Sequence, residues 1–167
     1  MNRKYLIYGL VILLVLIADQ ASKMVALATV TEGPIYVWLF FNWVLVWNRG
    51  ISFGIFNDGQ SVGPWLLVGF SLLIVAGLTV WLARVPNKAL GVALSTVIGG
   101  ALGNIIDRVR FGAVVDFIDI HAFGFHWPAF NIADSAIVLG IAFILADSLF
   151  FEPQRLNKTG NEADNDA

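Results

Sequence analysis

The chain has no cysteine and only two histidines, His121 and His126, among its 167 residues. Without thiols there can be no disulfide, thiolate nucleophile, Cys-ligated zinc or Cys-held iron–sulfur cluster. Charge is scarce as well. Asp, Glu, Lys and Arg make up 13% of the chain, about half the roughly 25% of an ordinary soluble domain. Ten basic residues against twelve acidic ones give a net charge of −2, so no basic footprint for a nucleic acid exists and none is expected as a partner. Neither a G-x-S-x-G elbow nor an H-E-x-x-H helix occurs, and two histidines five apart in a Gly- and aromatic-rich loop are poorly spaced for a metal. What the chain does have is apolar surface: 58% of residues are hydrophobic and mean hydropathy is +0.78. A soluble core of this length cannot hide so much, and a mainly α integral membrane protein is expected, built as one domain over residues 1–151.

A helix needs about 20 mostly apolar residues to cross the hydrocarbon layer. The runs Val62 to Ala83, Ala89 to Ile106 and Phe130 to Phe151 meet this plainly and predict spans at about 62–83, 89–107 and 130–151. The first span, about 5–27, is broken by Asp19, Gln20, Ser22 and Lys23 before apolar residues resume. Arg3 and Lys4, the apolar run and Ala26-Leu27-Ala28 also fit a cleavable signal peptide. An Asp and a Lys ahead of Ala26, with three further spans behind it, favour an uncleaved helix.

Between the first two spans, about 31–60, the sequence turns to strand formers. Ile35 to Trp47 is dense in Val, Trp, Phe, Tyr and Leu, at odd and even positions alike. Such a strand is covered on both faces or lies in the membrane interface, where Trp and Tyr are enriched. Asn48-Arg49-Gly50 and Asn57-Asp58-Gly59 read as turns. The rival is a fifth span over Ile35 to Phe56. Four spans place Arg3, Lys4, Arg84, Lys88, Arg155 and Lys158 on the cytoplasmic side, six of the ten basic residues, and five spans place only four there. The prediction is therefore four spans with both termini cytoplasmic, a small outer β-element, an outer loop at about 108–129, and a disordered polar tail at 152–167.

In that topology nearly all polar groups lying in or near apolar sequence reach the outer face. Asp19 and Lys23 end the first span, Asn48 lies in the β-element, and Asn104, Asp107 and Arg108 end the third span. Asp116 and Asp119 lie in the outer loop, and Asn131 and Asp134 open the fourth span. Ionisable groups at membrane depth are costly and mark function. Some have structural readings. Asp19 and Lys23 are spaced as an i,i+4 ion pair. Asp107 can pair with a neighbour or with Lys23, and Asn131 can cap the fourth span. Asp134 sits deeper than a cap requires, and Asp116 is an acid inside the apolar run Val114 to Ile118. Asp147, on the cytoplasmic half, reads as an interfacial acid.

The serines are poorly placed for nucleophilic work, since Ser22 and Lys23 point about 100° apart on a helix. Carboxylates remain. Two Asp side chains a few ångströms apart share a proton, so that one can deprotonate water and the other can protonate a carbonyl, with no metal or cofactor.

These residues resemble the bacterial lipoprotein signal peptidase family, signal peptidase II. The resemblance lies in Asp19-Gln20-Ala21-Ser22-Lys23, in Asn48-Arg49-Gly50-Ile51-Ser52-Phe53 and in Gly99 to Arg108 with its Gly-Asn-x-x-Asp-Arg end. It extends to Val114-Val115-Asp116-Phe117 and Phe130-Asn131-Ile132-Ala133-Asp134-Ser135. It implies four transmembrane helices, an outer β-cradle and a short outer helix between spans three and four. It further implies a monomeric inner-membrane aspartic endopeptidase, without cofactor or metal, whose active site faces the periplasm. Its partners would be lipids and lipidated prolipoproteins, cut just before the diacylglyceryl-cysteine. Asp116 and Asp134 would carry catalysis. Asp19, Lys23, Asn48, Gly50, Asn104, Asp107, Arg108, Asn131 and Ala133 would support it or bind substrate. Two other classes remain open from the residues: a small transporter or proton relay, which would want acids at mid-depth, and a membrane assembly factor, which would need no paired acids.

Overall fold

The structure, a computed structural model, describes residues 3–50 and 62–151. The Asn57-Asp58-Gly59 turn, the Ile51-Ser52-Phe53 end of the second motif and the 152–167 tail lie outside the described residues. Among the described residues four helices are long and apolar enough to cross a membrane: α1 (Arg3–Thr29), α2 (Val62–Arg84), α3 (Lys88–Phe111) and α4 (Ile132–Ala146), the last only with the turn that continues it to Phe150. A π-helical turn, Asp147–Phe151, prolongs α4. Helix α2 stops at Arg84, just ahead of Val85 and Pro86, because a residue preceding proline is disfavoured in helical geometry. Asn87 then caps α3 by accepting from the Ala89 N–H at 2.9 Å.

Helix α3 is the central element and packs against the other three. Gly100 and Gly103 permit this. A Cβ at Gly100 would collide with the Ala133 carbonyl of α4, and one at Gly103 with the Asp19 carboxylate of α1. On α1, Asp19, Lys23 and Ala26 form a buried stripe at i, i+4 and i+7 against α3, while Leu13, Leu14 and Ile17 stay exposed to lipid. Toward the α2–α3 connection, Tyr8, Leu82, Val85, Leu94 and Ile98 form the apolar core.

A four-stranded antiparallel sheet lies between these helices in sequence, in the order β1 (Ile35–Trp38), β2 (Phe41–Asn48), β3 (Val114–Ala122), β4 (Phe125–His126). The strand-rich run 35–47 is thus a hairpin broken at Leu39-Phe40, and the fifth-span reading is excluded. The expected short outer helix between spans three and four is not found there. Among the described residues that stretch is β3 and β4. Val114-Val115-Asp116-Phe117-Ile118 is rich in β-branched and aromatic residues, which suit a pleated surface and lose freedom in a helix. The expected outer loop likewise starts later, since α3 runs on through Phe111. Gly112 ends it in the left-handed region (φ 70°), its N–H bonding the Arg108 carbonyl at 3.0 Å. Strand β3 runs back along β2 from Val114 opposite Asn48 to Ile120 opposite Phe41. One end of the sheet therefore abuts the helices, and its other end carries both hairpin turns.

Candidate active site

Five segments distant in sequence meet where α1, α3 and α4 approach β2 and β3. The innermost feature is a buried cation. Lys23 Nζ lies 2.9 Å from Asp19 Oδ2 and 2.8 Å from Asp107 Oδ2, and donates to Asn104 Oδ1 at 3.0 Å. All three ionic side chains are almost wholly inaccessible. Such a cluster persists only because every charge has partners. The other oxygens are also satisfied: Asp19 Oδ1 accepts the Ala133 N–H at 2.9 Å, and Asp107 Oδ1 accepts Gln20 Nε2 at 2.9 Å. Asp107 Oδ2 additionally accepts the Val115 N–H at 3.1 Å. The Asp19–Lys23 pair thus forms as its spacing suggests, and Asp107 partners Lys23 rather than Arg108. The same cluster ties down the first turn of α4 and the start of β3.

Asn131 is the pivot between that base and the surface. Its Oδ1 accepts the Asp134 N–H at 2.9 Å, and Asp134 Oδ2 accepts the Asn131 N–H at 3.2 Å, a reciprocal capping box at the start of α4. Its Nδ2 donates to Asp116 Oδ1 at 2.7 Å. Asn131 therefore holds both carboxylates, Asp116 through its side-chain N–H and Asp134 through its backbone N–H. Asp116 Oδ2 takes a second bond from Asn48 Nδ2 at 2.9 Å, and Asp134 Oδ1 takes one from Asn104 Nδ2 at 2.8 Å. Asn48 is fixed in turn by the Gly50 N–H, which donates to its Oδ1 at 2.8 Å. Gly50 sits at φ 75°, where a side chain is strained.

The electrostatic consequence follows from those partners. Asp116 and Asp134 are held by neutral amides, whereas the buried ammonium is engaged by Asp19 and Asp107. Burial pushes the Asp116 carboxyl up to about 6, and the negative charge of Asp134 adds to the rise. Hydrogen bonds from Asn48 and Asn131 and the charge of Lys23 oppose it without prevailing. Arg108 is half-buried at the edge of this pair, its Nη1 donating to the Asn104 carbonyl at 3.3 Å. Among the described residues its Nε is buried without a partner.

All eleven residues that the resemblance implies for the site lie in or beside this arrangement. Gln20 was part of a motif but not singled out. Its Nε2 reaches Asp107, Asp19 and the Gly103 carbonyl. Its signal was an amide within the polar break Asp19 to Lys23 of an apolar span, three residues before Lys23. Ser22 and Ser135 bond back to carbonyls of Asp19 and Asn131. Asp147 is buried against the α2–α3 connection, where Asn87 Nδ2 donates to its Oδ1 at 3.4 Å. Asp119, His121 and His126 form a separate cluster on the sheet, with His126 Nδ1 at 2.9 Å from the Asp119 carboxylate and the two imidazoles stacked 4.8 Å apart.

Comparison with known proteins bears on this geometry. The family model described as signal peptidase (SPase) II matches residues 11–150. The lipoprotein signal peptidase of Methylobacterium radiotolerans is 45% identical over 143 residues, covering 84% of each chain. That of Methylorubrum extorquens is 46% identical over 145 residues, covering 84% of this chain and 85% of its own. A bacterial membrane enzyme solved by the in meso method superposes with a TM-score of 0.75 at 33% identity, over 86% of this chain and 93% of that one.

Proposed function

The chain belongs to the signal peptidase II family, and from that premise we propose that it is a membrane-embedded aspartic endopeptidase acting on prolipoproteins. It removes the signal peptide from a diacylglyceryl-modified precursor by cutting just before the lipidated cysteine. Both termini lie in the cytoplasm, and the acid pair faces the outer side of the inner membrane. The observation that carries the mechanism is the pair Asp116 and Asp134, joined through Asn131 and held, among the described residues, by amide donors.

Asp116, with its carboxyl pushed up to about 6, holds the shared proton. Asp134 acts as the base. It takes a proton from water as the oxygen attacks the scissile carbonyl carbon, while Asp116 protonates the carbonyl oxygen to give a neutral tetrahedral diol. When the C–N bond breaks, Asp134 returns its proton to the departing cysteine nitrogen and Asp116 recovers its own from the diol. The pair ends in its starting state. Pre-set amides around both carboxylates spare the reorganisation that water would require. Lys23, Asp19, Asp107 and Gln20 keep α1, α3 and the root of α4 in register beneath the pair. Asn48 and Gly50 present the adjoining edge to an extended substrate, and the signal helix and acyl chains reach it through the bilayer. Among the described residues every buried acid except Asp147 gathers at one end of the helices, which favours this reading over an ion path.

The test is cleavage of a lipidated precursor peptide by purified protein. Asp116→Asn and Asp134→Asn should each lower kcat by about a thousandfold or more while the protein still inserts, since general acid–base terms alone contribute about 10²–10⁴. Normal cleavage by either variant would refute the pair.

A further inference from the structure

Three residues from Asp116, β3 carries a second acid that the proposed chemistry does not use. Asp119 is buried, with 8% of its surface accessible, in a sheet whose other buried residues are mostly apolar. It is held from both sides. Asn42 Nδ2, opposite it on β2, donates to Oδ2 at 2.9 Å, and His126 Nδ1 on β4 lies 2.9 Å from both carboxylate oxygens. One carboxylate therefore bridges three strands. The His126 ring is further oriented by His121, stacked 4.8 Å away at 23° between planes. Burial works against the charge on Asp119, but the bonds from His126 and Asn42 and the nearby imidazoles outweigh it and hold the carboxyl below its ordinary value.

The place of this bridge in the chain gives it a role. From Asp116 the chain runs along β3, reverses at Phe123 and Gly124, both at positive φ, and returns through β4 to Asn131. Asn131 then donates to Asp116, so the excursion closes on itself at the acid pair. Near that end it is laced by backbone bonds: Phe117 and Ile118 donate to the Phe130 carbonyl at 3.1 and 2.9 Å, and Phe130 donates to Ile118 at 3.1 Å. Toward the other end the pairing thins to Trp127 on Ile120 and a two-residue β4. Two-residue pairing is marginal on its own. The side-chain bridge supplies what the ladder lacks there.

We propose that the Asn42–Asp119–His126 bridge is a positioning device for the reaction, fixing the β3–β4 excursion so that Asp116 at one end and Asn131 at the other stay in register. This rests on the acid-pair mechanism above. Neither Asp119 nor His126 touches substrate, and they act through the strand. A misplacement of about 1 Å can cost about a hundredfold in rate, so loosening a strand about three residues away should cost about tenfold, in kcat rather than in KM.

The test uses the full-length protein in lipid micelles and the lipidated precursor peptide. His126→Ala should lower kcat about tenfold with KM within about twofold. His126→Gln, whose amide N–H can still reach Asp119, should recover kcat to within about threefold of the parent. Asp119→Ala, which removes every acceptor of the bridge, should lose at least as much as His126→Ala, and the double variant should be no worse than Asp119→Ala, because both remove the same link. Should His126→Ala fold poorly, His126→Gln and Asn42→Ala carry the test, the latter with a loss of about threefold in kcat. Parental kcat in His126→Ala and Asp119→Ala, alongside a dead Asp116→Asn, overturns the bridge and leaves the acid pair standing. Equal losses in His126→Ala and His126→Gln also overturn it. Parental cleavage by Asp116→Asn would instead remove the mechanism on which it rests.

Discussion

Replacing Asp116 by asparagine should abolish cleavage and also change how the stability of the protein depends on pH. The folded carboxyl sits at about 6, against about 3.9 in an unfolded chain. Between those values the folded state binds the proton more tightly than the unfolded one. The contribution of this group to stability is therefore complete below pH 4, falls as pH rises toward 6, and is flat above. The loss is about 3 kcal/mol, two powers of ten in acidity at about 1.4 kcal/mol each. Asparagine does not ionise and escapes it. It also brings a constant penalty. Asn48 Nδ2 and Asn131 Nδ2 both donate to Asp116, and an asparagine there accepts from one and opposes the other with its own NH₂. Neither neighbour can turn its amide round, because the Gly50 and Asp134 N–H groups hold their oxygens. That mismatch costs about 1–3 kcal/mol at every pH. The offset between variant and parent mixes the two effects, and its slope with pH isolates the first. The melting temperature of Asp116→Asn minus that of the parent should climb by on the order of 5–10 °C between pH 4 and pH 7.5. A difference that is flat or falls over that range would refute the raised acid.

Other consequences are quicker to check. Lys23→Met leaves Asp19 and Asp107 buried without their cation and should destabilise the protein by about 3–5 kcal/mol, seen as a loss of melting temperature in micelles; an unchanged melting temperature would contradict the cluster. Gly50→Val puts a β-branched residue at φ 75° with its Cβ 2.5 Å from Leu67 Cδ1, and should cut cleavage about tenfold at unchanged helix content by displacing Asn48. A parental rate would make this turn a mere connector. If Asp116 holds the shared proton, kcat/KM should decline as pH rises past about 6, and a rate still rising through pH 8 would assign the proton elsewhere.

Much of the architecture was legible because it is written locally. Apolar runs of about 20 residues mark the spans, and the Lys/Arg distribution argues for four spans rather than five. The capping box shows in Asn131 and Asp134, three residues apart. The i,i+4 spacing of Asp19 and Lys23 gave their contact. What escaped was non-local or lacked a local mark. The hairpin at Leu39-Phe40 turns without Gly, Asn or Pro, so two short strands read as one. The family resemblance implied a short helix between spans three and four, and no local pattern there opposed it except the β-branched Val114-Val115, which opens β3. The Asp19 bond to the Ala133 N–H spans 114 positions, and no periodicity within either helix announces it. Asn131 was readable as a cap but not as the holder of Asp116, since that depends on where β3 returns. Asp119 and His126, seven apart, meet only because the chain reverses at Phe123-Gly124.

The central claim is that Asp116 and Asp134 work as one unit around a shared proton. The most direct measurement is a double-mutant cycle on the rate of precursor cleavage under single-turnover conditions. Groups that act together lose their contribution once, so Asp116→Asn, Asp134→Asn and the double variant should all fall to the same residual rate, about a thousandfold or more below the parent. Losses that multiply, with the double variant slower than either single by the product of both factors, would show two independent groups and contradict the account.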